Sequence, residues 1–174
     1  MDLHDFEGQD LYFDEHMPDK ISILIESASE CYGTLDAEKK LRDAFFLAPE
    51  NLSVLVALYR FYYYQHNYEN ALVVAKHALT FSGRRIQFPE DWQYLTIDHL
   101  GVGAQISMGM VRFYLLSLKA AAYINLRLNR FETAEQMLKK IIQVDSSDRL
   151  GAVALLTVAE QHLLNEQMNV ANFS

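Results

Sequence analysis

The sequence predicts an all-α fold, on three observations. Helix breakers are scarce, with three prolines and seven glycines in 174 residues. Between them the apolar residues recur with a period near 3.6, and no segment shows the period-2 alternation of a half-buried strand. Small residues recur at a fixed spacing of 34 positions, which marks an internal repeat of helix pairs.

The elements follow in order. Pro18 and Asp19 suit a helix start, so the first helix is expected over 19–32. A second, over 36–48, is capped by Asp36 and ended by Pro49. A third covers 51–65. The fourth covers 68–81 and stops at Ser82-Gly83. An irregular stretch with one short helix near 90–98 follows. The fifth helix is expected over 104–128, the sixth over 131–144 and the seventh over 148–166.

The repeat is carried by named positions. Ala37, Leu41, Ala44 and Pro49 align with Ala71, Ala75, Ala78 and Gly83, and then with Ala134, Leu138, Ile141 and Ser146. In the preceding helices Ile21, Leu24, Ile25 and Ala28 align with Leu55, Leu58, Tyr59 and Tyr62, then with Leu118, Ala121, Ala122 and Asn125. NYENA (67–71) matches RFETA (130–134). A small residue early in the second helix lets the two helices of a pair approach closely. A pair cannot bury its own apolar face, so neighbouring pairs must stack.

On YYYQHNYENALVVAKHAL and YINLRLNRFETAEQMLKKIIQVDSSD the chain resembles the tetratricopeptide repeat family. The resemblance covers 18–85 and 115–148. It implies a right-handed superhelix of antiparallel pairs: repeats 18–51, 52–85 and 115–148, and a capping helix over 149–166. Together these would make one domain over 18–166, with a tail over 167–174. The Trp that the family places in the first helix is missing from every repeat. A 29-residue insert, 86–114, separates repeats two and three. It holds the only tryptophan, Trp92, and is expected to be either a surface loop on a binding side or a packed spacer filled by Trp92 and Tyr94.

The resemblance also places a concave groove along the first helices. Its candidate contacts are Ser22, Glu26, Ser29 and Glu30, then Val56, Arg60, Tyr63 and Tyr64, then Lys119, Tyr123, Leu126 and Arg127. Tyr59, Tyr62 and Tyr68 are expected in the core. Tyrosine and arginine combine contact area with polar tips, so this set suits a partner peptide with apolar anchors. The Lys/Asn/Arg clamp by which some family members grip chaperone C-termini is absent: Ser22, Glu26 and Ala57 occupy its positions. The overall size is similar to that of the small tetratricopeptide chaperones of type III secretion.

Charge is uneven. The formal net charge is −8, and residues 1–19 carry seven acids with no Lys or Arg. The remainder is nearly neutral. Residues 1–17 are expected to be a solvated leader, disordered in part, or an interaction arm built on Leu11, Tyr12 and Phe13. Such a balance argues against nucleic-acid binding. No run of 18 apolar residues and no signal-peptide pattern occur, and Cys31 is the lone cysteine, so a cytoplasmic protein without an internal disulfide is expected.

The expected function is a non-enzymatic adaptor or chaperone that binds a protein segment, with no cofactor and no metal. A second reading is a structural or assembly subunit that self-associates, as a homodimer, through the long apolar helix and the insert. A third is an enzyme centred on Asp98 and His99. It lacks a nucleophile or metal motif: HExxH, CxxC and Gly-x-Ser-x-Gly spacings are all missing.

Overall fold

The computed structural model describes residues 18–172; the acidic arm 1–17 lies outside them. The described residues are helical, with no strand among them. The helices are α1 (Asp19–Glu30), α2 (Leu35–Leu47), α3 (Leu52–Tyr64), α4 (Tyr68–Arg85), α5 (Ile97–Arg127), α6 (Phe131–Val144) and α7 (Ala152–Asn172), with a 3₁₀ turn at Trp92–Tyr94. The chain divides into two compact units, one up to Phe81 and the other from Ser82 onward.

In the first unit α1 packs on α2 and α2 on α3, while α1 also touches α3. The turn between α1 and α2 is too short for anything but antiparallel neighbours. Ile21 of α1, Ala44 of α2 and Val54 of α3 form one core cluster. Two caps define the helix starts. Thr34 Oγ1 accepts from the Ala37 N–H at 3.2 Å, and Asn51 Oδ1 accepts from the Val54 N–H at 3.1 Å. Each such cap contributes about 1 kcal/mol. The cap of α2 is therefore Thr34, not Asp36, because Thr34 has the extended backbone a cap needs whereas Asp36 already lies in the helix.

In the second unit α5 packs on α6 and α6 on α7. Ala152 and Ala159 of α7 are fully buried. Asp148 ties the turn into the start of α7, its carboxylate accepting from the N–H of Ala152 and of Val153. That start falls four residues later than the spacing predicts. Asp148 and Gly151 take positive φ, which holds 148–151 as a turn. The helix also runs on to Asn172, through residues expected as tail.

Two helix stops share one backbone geometry. α3 ends with His66 at φ 56° and α5 with Asn129 at φ 56°. After α3 the Asn67 N–H donates to the Tyr62 carbonyl at 2.9 Å and the His66 N–H to Tyr63 at 3.0 Å. After α5 the Arg130 N–H donates to the Asn125 carbonyl at 2.9 Å and the Asn129 N–H to Leu126 at 3.1 Å. This is the paired closure of a Schellman turn, made twice at equivalent positions. The matching small residues agree: Ala37, Ala71 and Ala134 have no exposed surface. Tyr59 and Tyr62 are buried, and Tyr68 is half-buried.

The region around the insert departs from expectation. α4 does not stop at Ser82-Gly83 but continues to Arg85, and closes through Gln87 at φ 60° with the Phe88 N–H on the Gly83 carbonyl at 2.9 Å. Gly83 serves close packing instead: a Cβ there would lie 2.9 Å from the Tyr114 ring. The fifth helix begins at Ile97, not 104, and Ser107 breaks it with φ −161° and ψ 108°. Ser107 Oγ accepts from the Met110 N–H at 3.2 Å and so caps a fresh helix.

The insert is packed, but not by the rings expected to pack it. Tyr94 is 71% exposed and Trp92 half-buried, whereas Ile86 and Leu95 are fully buried. Phe88 lies edge-on to Tyr114, ring centroids 4.8 Å apart, and against Gly103. The Lys140 ammonium donates to the Leu95 carbonyl at 3.1 Å.

Two glycines two residues apart in the same helix should answer oppositely to alanine. A Cβ on Gly103 would sit 2.6 Å from Phe88 Cε1 and 3.0 Å from Val111 Cγ2; one on Gly101 meets nothing within 4 Å. Gly101→Ala is expected to stabilise by up to about 1 kcal/mol. Gly103→Ala should instead destabilise by roughly 1–3 kcal/mol through overpacking. Urea denaturation of both variants checks this, and equal midpoints would refute the packing of Phe88 on Gly103.

Candidate functional site

The first unit presents a cleft between α1 and α3, the first helices of the two predicted pairs there. Its volume is about 570 Å³, lined by Ile25, Ala28, Ser29, Tyr32, Leu41, Ala57, Arg60 and Tyr64. Ala28 and Leu41 are buried and form the floor. Tyr32 and Tyr64 stand at the rim, 46% and 40% exposed.

Helical spacing places these groups. Ala57, Arg60 and Tyr64 are three and four residues apart and so share one face of α3. Ile25, Ala28 and Ser29 do the same on α1. Tyr32 lies just past the end of α1, where Gly33 takes φ 87° and turns the chain. The Tyr32 ring meets Phe61 edge-on, centroids 5.5 Å apart.

Arg60 is half-buried and is the single charged residue among the described residues of the lining. Among the described residues its guanidinium has no hydrogen bond or ion pair. It does act on Tyr32: burial raises the Tyr32 phenol above the ordinary tyrosine range, and the Arg60 cation pulls it back down. An arginine on an apolar floor between two phenols suits a ligand with an apolar side chain beside a hydrogen-bond acceptor or carboxylate.

The candidate residues do not all meet here. Arg60 and Tyr64 line the cleft, together with Ser29. Glu26 and Glu30 are exposed on α1, and Val56 is half-buried on α3; none of the three lines it. Tyr63 is half-buried in an aromatic cluster, stacked on Tyr59 at 6.1 Å and edge-on to Tyr64 at 5.2 Å. It thereby props the Tyr64 ring. In the second unit Tyr123 is half-buried and Arg127 exposed, the Arg127 guanidinium lying 3.5 Å from the Tyr123 hydroxyl.

Lys119 departs from its expected place on an open face. It is 4% exposed, and its ammonium donates to the Leu150 carbonyl. The long side chain spans to the α6–α7 turn rather than to solvent.

His99 also has a local task. Its Nδ1 accepts from the Thr96 N–H at 3.1 Å at the start of α5, and its ring meets Phe88. Asp98 beside it is exposed. Among the described residues no three His, Cys, Asp or Glu side chains gather as metal ligands would, and no helix is long and apolar enough to cross a membrane.

Sequence reasoning missed two features. Tyr32 lies in a turn, where helical spacing gives no face; its neighbour Gly33 was the available signal. The second is a larger groove of about 1170 Å³ along α2 and α4, with Leu58 and Tyr62 beneath it. Leu35 (86% exposed), Phe46 (85%) and Val73 (65%) line it, as do Lys39, Arg42, Glu38 and Asp43. Tyr62 donates to Glu38 at 3.1 Å, and burial with that carboxylate raises the phenol's pKa.

Replacing Arg60 by Gln removes the cation that favours the Tyr32 phenolate. The sign follows directly: losing a positive neighbour disfavours the anion, so the Tyr32 pKa is expected to rise further. Ultraviolet titration near 295 nm, with Tyr32→Phe in each background to assign the transition, checks it. An unchanged Tyr32 transition would place Arg60 away from the ring.

No family model matches the chain, and no solved structure does. The chain is 44% identical over 162 residues to the uncharacterized 19.8 kDa protein in the nifW 5′ region of Azotobacter chroococcum mcd 1, an alignment covering 93% of this chain and 90% of that protein. Identity of that extent along nearly the full length of both makes this chain a member of the same family as the Azotobacter protein.

Proposed function

We propose that the protein is a tetratricopeptide-type repeat protein that binds a segment of a partner protein in the α1–α3 cleft and performs no catalysis. The observation that carries this reading is Arg60: a half-buried guanidinium without an ion pair among the described residues, set on an apolar floor between Tyr32 and Tyr64. An unpaired cation in such a place favours a ligand that supplies the missing acceptor. The recurrence of the same turn at His66 and Asn129, and the buried alanines at 37, 71 and 134, support the repeat assignment. An adaptor or chaperone role fits an open cleft of this size better than chemistry does. His99, the centre of the enzyme reading, is engaged in capping α5.

Self-association is the second reading. It is favoured by exposed apolar residues around the start of α5, with Ile97 61%, Val102 48%, Ile106 48% and Met108 51% exposed. A contact there would leave the cleft free, so the two readings separate by mutation.

Arg60→Ala with Tyr64→Ala is expected to lower partner affinity by about 2 kcal/mol or more, roughly thirtyfold. The measurement is affinity capture from the source cell with wild-type and double-variant baits of equal helicity by circular dichroism, followed by titration of the captured partner. Equal recovery and equal affinity with both baits would remove the cleft from recognition. Loss of a dimer on Ile97→Ser with Ile106→Ser, with partner capture intact, would assign self-association to the insert.

A further inference from the structure

The groove-lining face of α2 is symmetric in residue type about its middle. Leu35 and Phe46 stand at its ends, 86% and 85% exposed. Between them Glu38, Lys39, Arg42 and Asp43 line the α2–α4 groove. Leu35 mirrors Phe46, Glu38 mirrors Asp43 and Lys39 mirrors Arg42, all about one centre between Lys40 and Leu41. At about 100° per residue, Glu38 and Arg42 fall on one flank of the Leu35–Phe46 line, and Lys39 and Asp43 on the other. Each flank therefore carries one acid and one base.

The chain does not consume these charges itself. Further round the helix, Asp36 and Lys40 close on each other at 2.7 Å. Glu38 and Arg42, and likewise Lys39 and Asp43, have the i,i+4 spacing of an ion pair. Among the described residues neither pair closes. A face of mixed sign and no net charge draws no partner of uniform charge; it fits a surface that offers the same signs in the opposite order. A second copy of α2, turned end for end, is such a surface. The apolar face at the start of α5 has no comparable pattern, since residues 97–108 hold one acid and no Lys or Arg.

We propose that the protein forms a two-fold dimer in which α2 lies antiparallel to α2 of a second copy. Leu35 then stands level with Phe46 of the second copy at both ends of the contact, about 16 Å apart. Glu38 comes within one residue's rise, about 1.5 Å along the axis, of Arg42 of the second copy, and Lys39 equally of its Asp43. The two-fold makes each contact twice. Val73 of α4, 65% exposed, widens the apolar part of the patch. Antiparallel order also opposes the two helix dipoles. No residue lines both this groove and the α1–α3 cleft, so dimerisation and partner binding stand or fall separately.

Sedimentation velocity of the full chain, up to roughly 1 mM, tests this. Wild type is expected to dimerise, less tightly as salt rises. Two variants of wild-type helicity give the face a single sign: Glu38→Lys with Asp43→Lys, and Lys39→Glu with Arg42→Glu. Each alone should raise the dissociation constant about tenfold or more, and an equal mixture of the two should restore a dimer. Phe46→Ser, at a position with little packing to lose within the chain, should also weaken it. A wild type that stays monomeric overturns the proposal, as does a dimer unaffected by the charge variants or a mixture that remains monomeric. A dimer lost on Ile97→Ser with Ile106→Ser, but kept on Phe46→Ser, overturns it in favour of α5. In a Cys31→Ser background, a short bis-maleimide should join Leu35→Cys chains to Phe46→Cys chains in preference to like chains. Preference for like chains overturns the antiparallel order.

Discussion

The phase of every packed face in this chain depends on where each helix stops. A residue added to a helix rotates everything after it by about 100°. The stops at Gln65–Asn67 and Leu128–Arg130 are therefore the points on which the rest turns. Both place a non-glycine residue in the left-handed region and bind two otherwise unpaired carbonyls of the last turn. His66 and Asn129 accept a conformation that costs an L residue about 1 kcal/mol or more. In return the next helix starts in register, and Ala71 and Ala134 arrive at the fully buried position three residues after its first residue.

Much of this was legible in the sequence. The alanine spacing identified the closest packing positions, and NYENA against RFETA marked the two turns that proved to share their hydrogen bonds. What could not be read was any role that needs a partner distant in the chain. Gly83 looked like a helix stop because glycine commonly is one; its actual role is to admit the Tyr114 ring. Gly103 likewise leaves room for Phe88, and nothing in its own helix announces that. Lys119 has the spacing of an exposed residue, yet it extends to the Leu150 carbonyl on another element.

The cleft was legible by half. Arg60 and Tyr64 follow from the face opposite the buried positions of α3. Tyr32 and the floor residue Leu41 do not, because one belongs to a turn and the other was assigned wholly to repeat packing. The electrostatics of the cleft arise from that combination: a tyrosine partly desolvated by burial and a cation close enough to counter it. Membership in one family with the Azotobacter protein gives a second chain on which the same cleft residues can be examined.

The break at Ser107 has a bearing on how such a chain can vary. Because the helix restarts there on its own cap, the packed segment from Met108 to Arg127 takes no phase from the residues before it. The region between Gln87 and Ser107 touches the helix it leads into through side chains, Phe88 on Tyr114 above all, and not through a shared helical phase. Residues can be gained or lost in that region without rotating the buried face of Tyr114, Leu118 and Ala121. The serine acts as a clutch, and the insert can change in length wherever Phe88, Leu95 and Gly103 keep their packing.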